Sequence, residues 1–262
     1  MAKKVLVITG DAIAPSISGP GIRALKLAEQ LSKSHEVRVV STLSYLPVEA
    51  LFFVGKATGH ELKKHVSWAE VVIFQGFVLA QNHWIKRSGA LLVADLYDPL
   101  HLEHLEDANL ENEKQSSREI RHTLAVLTEQ IRCADFILCA SEKQRDFWLG
   151  YLSAVGRVDV PNYIQDSSLR ELIDVVPFGL SAEKPKQSRH ALREGVSGID
   201  HDSFVLIWGG GIYNWFDPLT LIRAVAQLST QYQQIKLFFM SSAHPNPLVA
   251  HSKMANQAVA LA

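Results

Sequence analysis

Short apolar runs alternate with longer helix-like segments along the chain, and this alternation restricts the fold more than any other feature. Near-continuous apolar runs such as Val5-Leu6-Val7-Ile8 are typical of parallel strands that are buried on both faces. The sequence therefore predicts an α/β fold with a Rossmann-like parallel sheet and helices on both of its faces. Strands are predicted at residues 5–8, 35–41, 70–75, 90–95, 135–140, 174–180, 204–208 and 235–240, and helices at 22–31, 58–68, 77–87, 110–133, 141–152, 217–230 and 246–262.

Composition excludes several classes of protein. The 262 residues carry a net charge of −1 with both signs interspersed, which argues against a basic surface for nucleic acid or anionic lipid. Cys133 and Cys139 are too few for a disulfide framework, and we expect buried thiols. His101 and His104 have no evident third ligand, so no metal site is predicted. The first apolar run is too short for a signal peptide, and we expect a cytoplasmic chain, with contact to the inner face of a membrane left open.

The composition changes after residue 180. Residues 181–203 are polar and contain several Lys, Ser, Pro and Gly residues, which is typical of a linker. We therefore predict an N-terminal domain at 1–180 and a C-terminal domain that begins at 204 and runs to 262. Because two strands are too few for an independent sheet, we expect the second domain to be incomplete.

The turn at Ser18-Gly19-Pro20-Gly21 joins the first strand to a helix. Proline suits the first helical turn, and glycine lets the backbone approach a ligand closely. The free N–H groups and partial positive charge of a helix N-terminus favour an anion such as a phosphate. On this interpretation a Gly21→Val change in the full-length protein raises the requirement for the ligand or abolishes activity, and leaves the fold intact. The alternative is a surface loop ahead of a helix whose core side carries Ile22, Leu25, Leu27, Ala28 and Leu31.

The segment that follows the strand at 90–95 holds the densest group of ionisable residues at a predicted strand end. Asp98 and His101 can place a carboxylate and an imidazole beside a substrate hydroxyl, for hydrogen bonding or general base catalysis, with Asp95 and Glu103 orienting them. In the alternative interpretation the aspartates cap a turn and His101 is a surface residue. Ser141 begins a predicted capping box at another strand end.

A second glycine turn, Gly209-Gly210-Gly211, follows the strand at 204–208. Its backbone can close on a phosphate or a sugar, or it is simply a tight turn between a strand and a helix. Asn214 and Trp215 beside it can form a stacking platform with a polar group, although packing at an interface explains them equally well. Neither glycine turn completes the Gly-x-Gly-x-x-Gly pattern of dinucleotide-binding proteins.

Three stretches together resemble the retaining nucleotide-sugar glycosyltransferases of GT-B fold, often labelled "glycosyl transferases group 1". The first is the glycine turn and helix followed by residues 35–40, similar to the family's Gly-His-Glu-Val strand. The second, residues 175–180, is similar to its Ile-Pro-Asn-Gly-Val motif. The third, residues 207–219, resembles a bacterial subgroup with Gly-Gly-Gly-x-x-x-Trp-x-Asp-Pro, which His244-Pro245-Asn246-Pro247 also fits.

The resemblance implies transfer of a sugar from a nucleotide-sugar co-substrate to a glycan or lipid-linked acceptor in bacterial cell-surface polysaccharide or glycoconjugate synthesis, without a metal or other cofactor. The donor binds mainly the C-terminal domain in this family and the acceptor mainly the N-terminal one. The implied residues are Asp98 and His101 as catalytic, Gly19, Gly21, Arg23, Gly210 and Gly211 at the donor phosphates, and Asp95, Glu103, Ser141, Asn214 and Trp215 in acceptor-side or supporting positions.

The chain departs from the family pattern in two respects. The Arg and Lys that usually neutralise the diphosphate are not found in residues 209–219, and the Glu-x7-Glu motif would lie beyond residue 262. We therefore expect this chain to be an inactive fragment of the enzyme. Two alternatives are a nucleotide-sugar epimerase of GT-B fold and a non-catalytic protein that binds a sugar or nucleotide.

Overall fold

A computed structural model describes residues 1–106, 108, 112–181, 184–240 and 252–262. Within these residues the chain forms two compact units, Met1–Gly179 and Leu180–Ala262, each with its own sheet. The His244-Pro245-Asn246-Pro247 motif and the first residues of the helices predicted at 110–133 and 246–262 lie outside the described residues. Among the helices in these ranges, none is both long enough and apolar enough to cross a membrane.

The first unit is built on one sheet of parallel strands in the order β3-β2-β1-β4-β5-β6-β7. The order reverses between β1 and β4, which makes the carboxyl ends of these two strands the expected position for a ligand. The strands are Lys4–Thr9 (β1), Glu36–Ser41 (β2), Phe53–Lys56 (β3), Val71–Phe74 (β4), Leu91–Asp95 (β5), Phe136–Cys139 (β6) and Ile173–Val175 (β7). The predicted parallel α/β fold is confirmed.

Helices connect these strands, and three of them differ from the predictions. The segment predicted as one helix at 77–87 is a short α-helix followed by the 3-10 helix His83–Arg87. The helices after Pro99 and at Val160–Gln165 were not predicted at all. The α-helices of the unit are Gly19–Leu31 (α1), Gly59–Trp68 (α2), Val78–Gln81 (α3), Leu100–Glu106 (α4), Glu113–Cys133 (α5), Glu142–Ala154 (α6) and Val160–Gln165 (α7).

Two apolar clusters lie on opposite faces of this sheet, because successive side chains of a strand point to opposite sides. Leu6 and Ile8 of β1 belong to the cluster that contains Trp148. Val5 and Val7 belong to the cluster under α1. The sheet is therefore a layer between two separate cores.

The face that α1 turns to the sheet is the predicted one except in its first turn. Leu25, Leu27, Ala28 and Leu31 pack in the cluster under α1. Ile22, in contrast, is 42% exposed, and Arg23 is buried. The side chain of Arg23 is drawn inward by a carboxylate at the end of β5, which the apolar pattern alone could not show.

The second unit holds two parallel strands and their helices. Its small core comprises Ile212, Ile222, Ala255 and Ala258. The elements are Ala191–Gly195 (α8), Phe204–Trp208 (β8), Pro218–Ser229 (α9), Ile235–Phe239 (β9) and Lys253–Leu261 (α10).

Candidate functional site

A buried ion pair occupies the carboxyl edge of the first sheet. Arg23 Nε donates to both carboxylate oxygens of Asp95, at 3.0 and 2.8 Å, and Nη2 donates to Oδ1 at 2.7 Å. The two side chains are 2% and 0% exposed. Gln75, which directly follows β4, donates from Nε2 to Asp95 Oδ2 at 2.9 Å. Such a fully hydrogen-bonded pair offsets the cost of removing both charges from water.

Aromatic rings cover the guanidinium of this pair. Its carbon lies 5.1 Å from the ring centre of Tyr97 and 4.9 Å from that of Phe178, and the two rings meet edge to face. Burial raises the pKa of Tyr97 well above its usual value. The geometry favours a structural role for Arg23 and Asp95, and the predicted contact between Arg23 and a donor phosphate stays a prediction.

The two glycines that flank Pro20 have different surroundings. A Cβ on Gly19 would have no heavy atom within 4 Å, so this glycine faces open space at the start of α1. A Cβ on Gly21 would lie 2.6 Å from Cδ1 of Ile17 and 3.1 Å from the carbonyl oxygen of Ala12. A valine at 21 therefore displaces the Ile17 side chain, so we expect Gly21→Val to cost stability, which the sequence prediction did not include.

Asp98 lies just beyond β5, in the turn before α4. Burial raises the pKa of its carboxyl group, and a hydrogen bond with the side chain of Glu103 acts in the opposite direction without cancelling this. Residues 98 and 103 thus lie together, as the sequence predicts. At a given pH, the protonated fraction of the Asp98 carboxyl group is therefore larger than that of an ordinary aspartate.

His101, in the first turn of α4, stacks on Phe147 at 5.8 Å and tilts against Trp148 at 6.4 Å. Burial lowers the pKa of its imidazole, and the neighbouring His104 lowers it further. The ring is therefore neutral over a wider pH range than an ordinary histidine, which suits it to accept a proton or a hydrogen bond.

Several buried polar atoms at this edge lack a hydrogen-bond partner within the described part of the chain: Ser18 Oγ, Gln75 Oε1, Asp98 Oδ1 and His101 Nδ1. Buried polar groups are nearly always hydrogen-bonded in proteins, so a group of such atoms is a place where a ligand or water can supply hydrogen bonds. Ser18 immediately precedes α1, and Gln75 directly follows β4. Asp98 and His101 lie beyond the end of β5, in the turn and in the first turn of α4. Together they mark the candidate site.

Ser141 serves as a helix cap. Its Oγ accepts from the backbone N–H of Gln144 at 3.2 Å, as the predicted capping box requires. The Gln144 side chain accepts from Ala140 N at 2.8 Å and donates to the carbonyl oxygen of Tyr97, also at 2.8 Å. This glutamine, which the sequence analysis did not single out as a site residue, links the start of α6 to the segment that carries Asp98.

The second unit places its predicted residues around the turn after β8. A Cβ on Gly210 would have no heavy atom within 4 Å, whereas one on Gly211 would lie 3.1 Å from the Tyr213 ring. Trp215 stacks on Tyr213 at 4.8 Å with the rings nearly parallel. Asn214 Oδ1 accepts from Ser252 Oγ at 2.8 Å and from a backbone N–H at the start of α10. Asn214 therefore already has a structural role.

The structure brings Arg23, Asp95, Asp98, His101 and Glu103 to one edge of the first sheet and leaves their predicted roles as predictions. Gln75 and Phe178 belong to the same edge and were missed. A polar residue directly after an apolar strand is the signal that could have identified Gln75. Across the described ranges, no group of three or more His, Cys, Asp or Glu residues could hold a metal ion.

Comparison with solved structures identifies relatives of this fold. WaaG, a glycosyltransferase involved in lipopolysaccharide biosynthesis, superposes with a TM-score of 0.56 at 16% identity, over 97% of this chain and 68% of WaaG. The glycotransferase of kitacinnamycin aligns over 97% of this chain and 70% of its own, but its TM-score of 0.40 at 10% identity is too low to support an argument. No family model and no curated protein matches the sequence. The GT-B-like fold that the motifs predict is confirmed.

We predict that Asp95→Ala lowers the free energy of unfolding by about 3–5 kcal/mol, because it leaves a buried guanidinium without its counter-charge. Urea unfolding followed by circular dichroism measures this. Glu61→Ala is the control, since it removes one half of an exposed ion pair with Lys64. We expect it to leave the stability almost unchanged, because an exposed ion pair contributes little. Equal effects of the two changes would contradict the prediction.

Gly21→Val and Gly19→Val form a matched pair. We expect Gly21→Val to cost about 1–3 kcal/mol of stability, because the new side chain displaces Ile17. Gly19→Val should cost less than about 1 kcal/mol, since its side chain enters open space. Thermal unfolding of both variants under one set of conditions makes the comparison. A Gly21→Val melt that matches the wild type would refute the packing argument.

The stability of Asp98→Asn should depend on pH with a defined sign. A raised carboxyl pKa contributes stability that is complete below the unfolded value of about 3.9 and is lost as the pH rises through the folded value. Asparagine cannot ionise, so the stability of the variant relative to the wild type should rise as the pH is raised above about 3.9. Urea unfolding across this range provides the measurement.

Asp166→Asn is the control of opposite sign. Hydrogen bonds from Ser168 and Glu171 lower the pKa of Asp166 to about 2, so its contribution to stability is present above about pH 3.9 and is lost as the pH falls. The deficit of this variant should therefore shrink in acid. If both variants changed in the same direction, the assignment for Asp98 would be refuted.

Proposed function

We propose that the chain is part of a glycosyltransferase that moves a sugar from a nucleoside-diphosphate sugar to a hydroxyl acceptor. The observation that carries this proposal is the group of buried polar atoms on Ser18, Gln75, Asp98 and His101 that lack a partner among the described residues. They lie at the ligand-binding edge of a sheet whose fold is that of the glycosyltransferase WaaG. Substrate hydroxyls and phosphate oxygens are partners of the required kind.

The acceptor is proposed to bind at Asp98 and His101. In the reaction the bond between the sugar C1 and the diphosphate breaks, a bond forms between C1 and the acceptor oxygen, and the acceptor proton leaves. A neutral imidazole can accept that proton or hydrogen-bond to the hydroxyl, and the lowered pKa of His101 supports this role. Glu103, hydrogen-bonded to Asp98, is proposed as an orienting group.

The donor phosphates are proposed to approach the N-terminus of α1 at Gly19. The open space there admits a ligand, and the helix dipole and free N–H groups stabilise negative charge on the leaving diphosphate. For the second unit we propose that Gly210 and Gly211 approach the donor through their backbone. This electrostatic stabilisation is the basis for proposing a reaction that needs no metal ion.

Lipopolysaccharide biosynthesis is the process in which WaaG takes part. By analogy we propose that this chain acts in cell-surface polysaccharide or glycoconjugate assembly, on a glycan or lipid-linked acceptor, in the cytoplasm at the inner face of a membrane. The fold supports this analogy, and the acceptor and donor sugars are for experiment to identify.

The proposal is tested by calorimetry of the chain with UDP, GDP, ADP and CDP, each with and without excess EDTA. We predict that at least one nucleotide binds, that EDTA leaves its affinity unchanged, and that Gly19→Asp weakens it by about tenfold or more through repulsion between like charges. Gly150→Asp is the matched control, because it adds the same charge at another glycine with open space, in α6. Its affinity should equal that of the wild type.

Three outcomes would each contradict part of the proposal. Absence of binding for all four nucleotides would show that this chain holds no donor site of its own. Equal affinity of Gly19→Asp and the wild type would place the nucleotide away from α1. Loss of affinity in EDTA would overturn only the proposal that no metal ion is needed. Since aspartate is well tolerated at a helix N-terminus, loss of the fold is not expected to confuse the result.

A further inference from the structure

A pocket of about 640 Å³ lies beyond the carboxyl end of β4, where α4 packs on α5. Its volume is in the range of small-molecule sites. Phe77, just before α3, and His104 of α4 line the pocket. Arg118, Glu119 and Thr123 of α5 line it as well. His104 lies one helical turn after His101, so the pocket adjoins the proposed acceptor site.

An aromatic surface forms part of the pocket wall. The Phe77 ring stacks on His104 and on His122, with centre-to-centre distances of 6.2 Å in both pairs and angles of 11° and 16° between the rings. Three nearly parallel rings from three separate parts of the chain are thereby held together. Such a surface fits a flat ligand that presents C–H groups on one face.

The contacts of Thr123 favour one tautomer of His104. Thr123 Oγ1 lies 3.1 Å from the carbonyl oxygen of Glu119, which can only accept, and 2.9 Å from His104 Nδ1. Both contacts are hydrogen bonds when Thr123 donates to Glu119 and His104 Nδ1–H donates to Thr123. In this tautomer Nε2 carries the lone pair of the ring and is a hydrogen-bond acceptor.

The charges of the lining favour a neutral ligand. Arg118 and Glu119 are adjacent and opposite in sign, and Glu119 Oε1 also accepts from Gln115 at 3.0 Å. The one acidic and the one basic side chain of the lining balance each other, which gives the pocket no net charge to attract a phosphate. A ligand with hydroxyl groups can donate to Glu119 and His104 and accept from Arg118.

We propose that this pocket binds a neutral sugar ring of the acceptor, with its C–H face on Phe77 and a hydroxyl donated to His104 Nε2. This inference rests on the proposed function, in which the enzyme has an acceptor substrate. It adds where the acceptor binds and identifies the part that the pocket recognises as a sugar ring. It makes Phe77 and His104 residues that determine acceptor specificity. The acceptor is then a glycan, recognised at a sugar next to the reacting hydroxyl.

Saturation-transfer NMR of the chain tests the proposal with methyl glucoside, methyl galactoside, methyl mannoside and methyl N-acetylglucosaminide as probes. We expect at least one to bind, with the ring C–H protons receiving the strongest saturation. Phe77→Leu removes the central ring of the aromatic surface. His104→Phe keeps the stacking but removes Nε2, the nitrogen that accepts a hydrogen bond from the sugar. Each should weaken binding by about fivefold or more.

Phe53→Leu is the matched control, because Phe53 also packs on a histidine, His65, at 5.1 Å, but belongs to β3 at the edge of the sheet. It should leave binding unchanged. Circular dichroism shows whether each variant is folded. If Phe77→Leu does not fold, His104→Phe still tests the proposal. An equal loss in Phe53→Leu, no binding of any glycoside, or stronger binding of decanoate or phosphate than of every glycoside would overturn it.

Failure of this proposal is distinguishable from failure of the proposed function. Nucleotide binding at α1 without glycoside binding would leave the glycosyltransferase assignment standing and remove the sugar pocket. Glycoside binding that depends on Phe77 and His104, without any nucleotide binding, would establish the sugar site and remove the transferase assignment.

Discussion

The edge of the sheet that carries the candidate site depends on the ion pair between Arg23 and Asp95. The pair joins α1 to the end of β5, and through Gln75 and Phe178 it also reaches β4 and the segment after β7. Because both charges are out of water, only a narrow range of geometries satisfies them. The position of the helix N-terminus relative to the strand ends is therefore specified by hydrogen bonds rather than by apolar packing alone.

The architecture could be predicted from the sequence because burial on both faces of a parallel sheet leaves nearly continuous apolar runs. The same logic explains one of the helices that were missed. Leu100–Glu106 is only seven residues long, and its three leucines are too few to show a sustained helical period. The helix predicted at 77–87 failed for a different reason, since no glycine or proline marks the change to a 3-10 helix at His83–Arg87.

The site was predictable in position but not in its internal contacts. The rule that ligands bind beyond the carboxyl ends of parallel strands selected the segment of Asp98 and His101. It could not show that Arg23 and Asp95, which are 72 residues apart, satisfy each other. A single sequence holds no record of such pairs. The pattern on α1 also favoured Ile22 over Arg23 as an inward residue, because a buried arginine becomes plausible only once its partner is known.

The contrast between Gly19 and Gly21 changes how the motif Gly-Pro-Gly should be interpreted in other chains. One glycine packs closely against Ile17 and the carbonyl group of Ala12, and the other faces open space that a ligand can enter. A related protein that has lost its ligand could vary the first glycine while it keeps the second. In an alignment, variation at the first position alone would then separate chains that share the fold from chains that also share the activity, which a count of matched motifs cannot do.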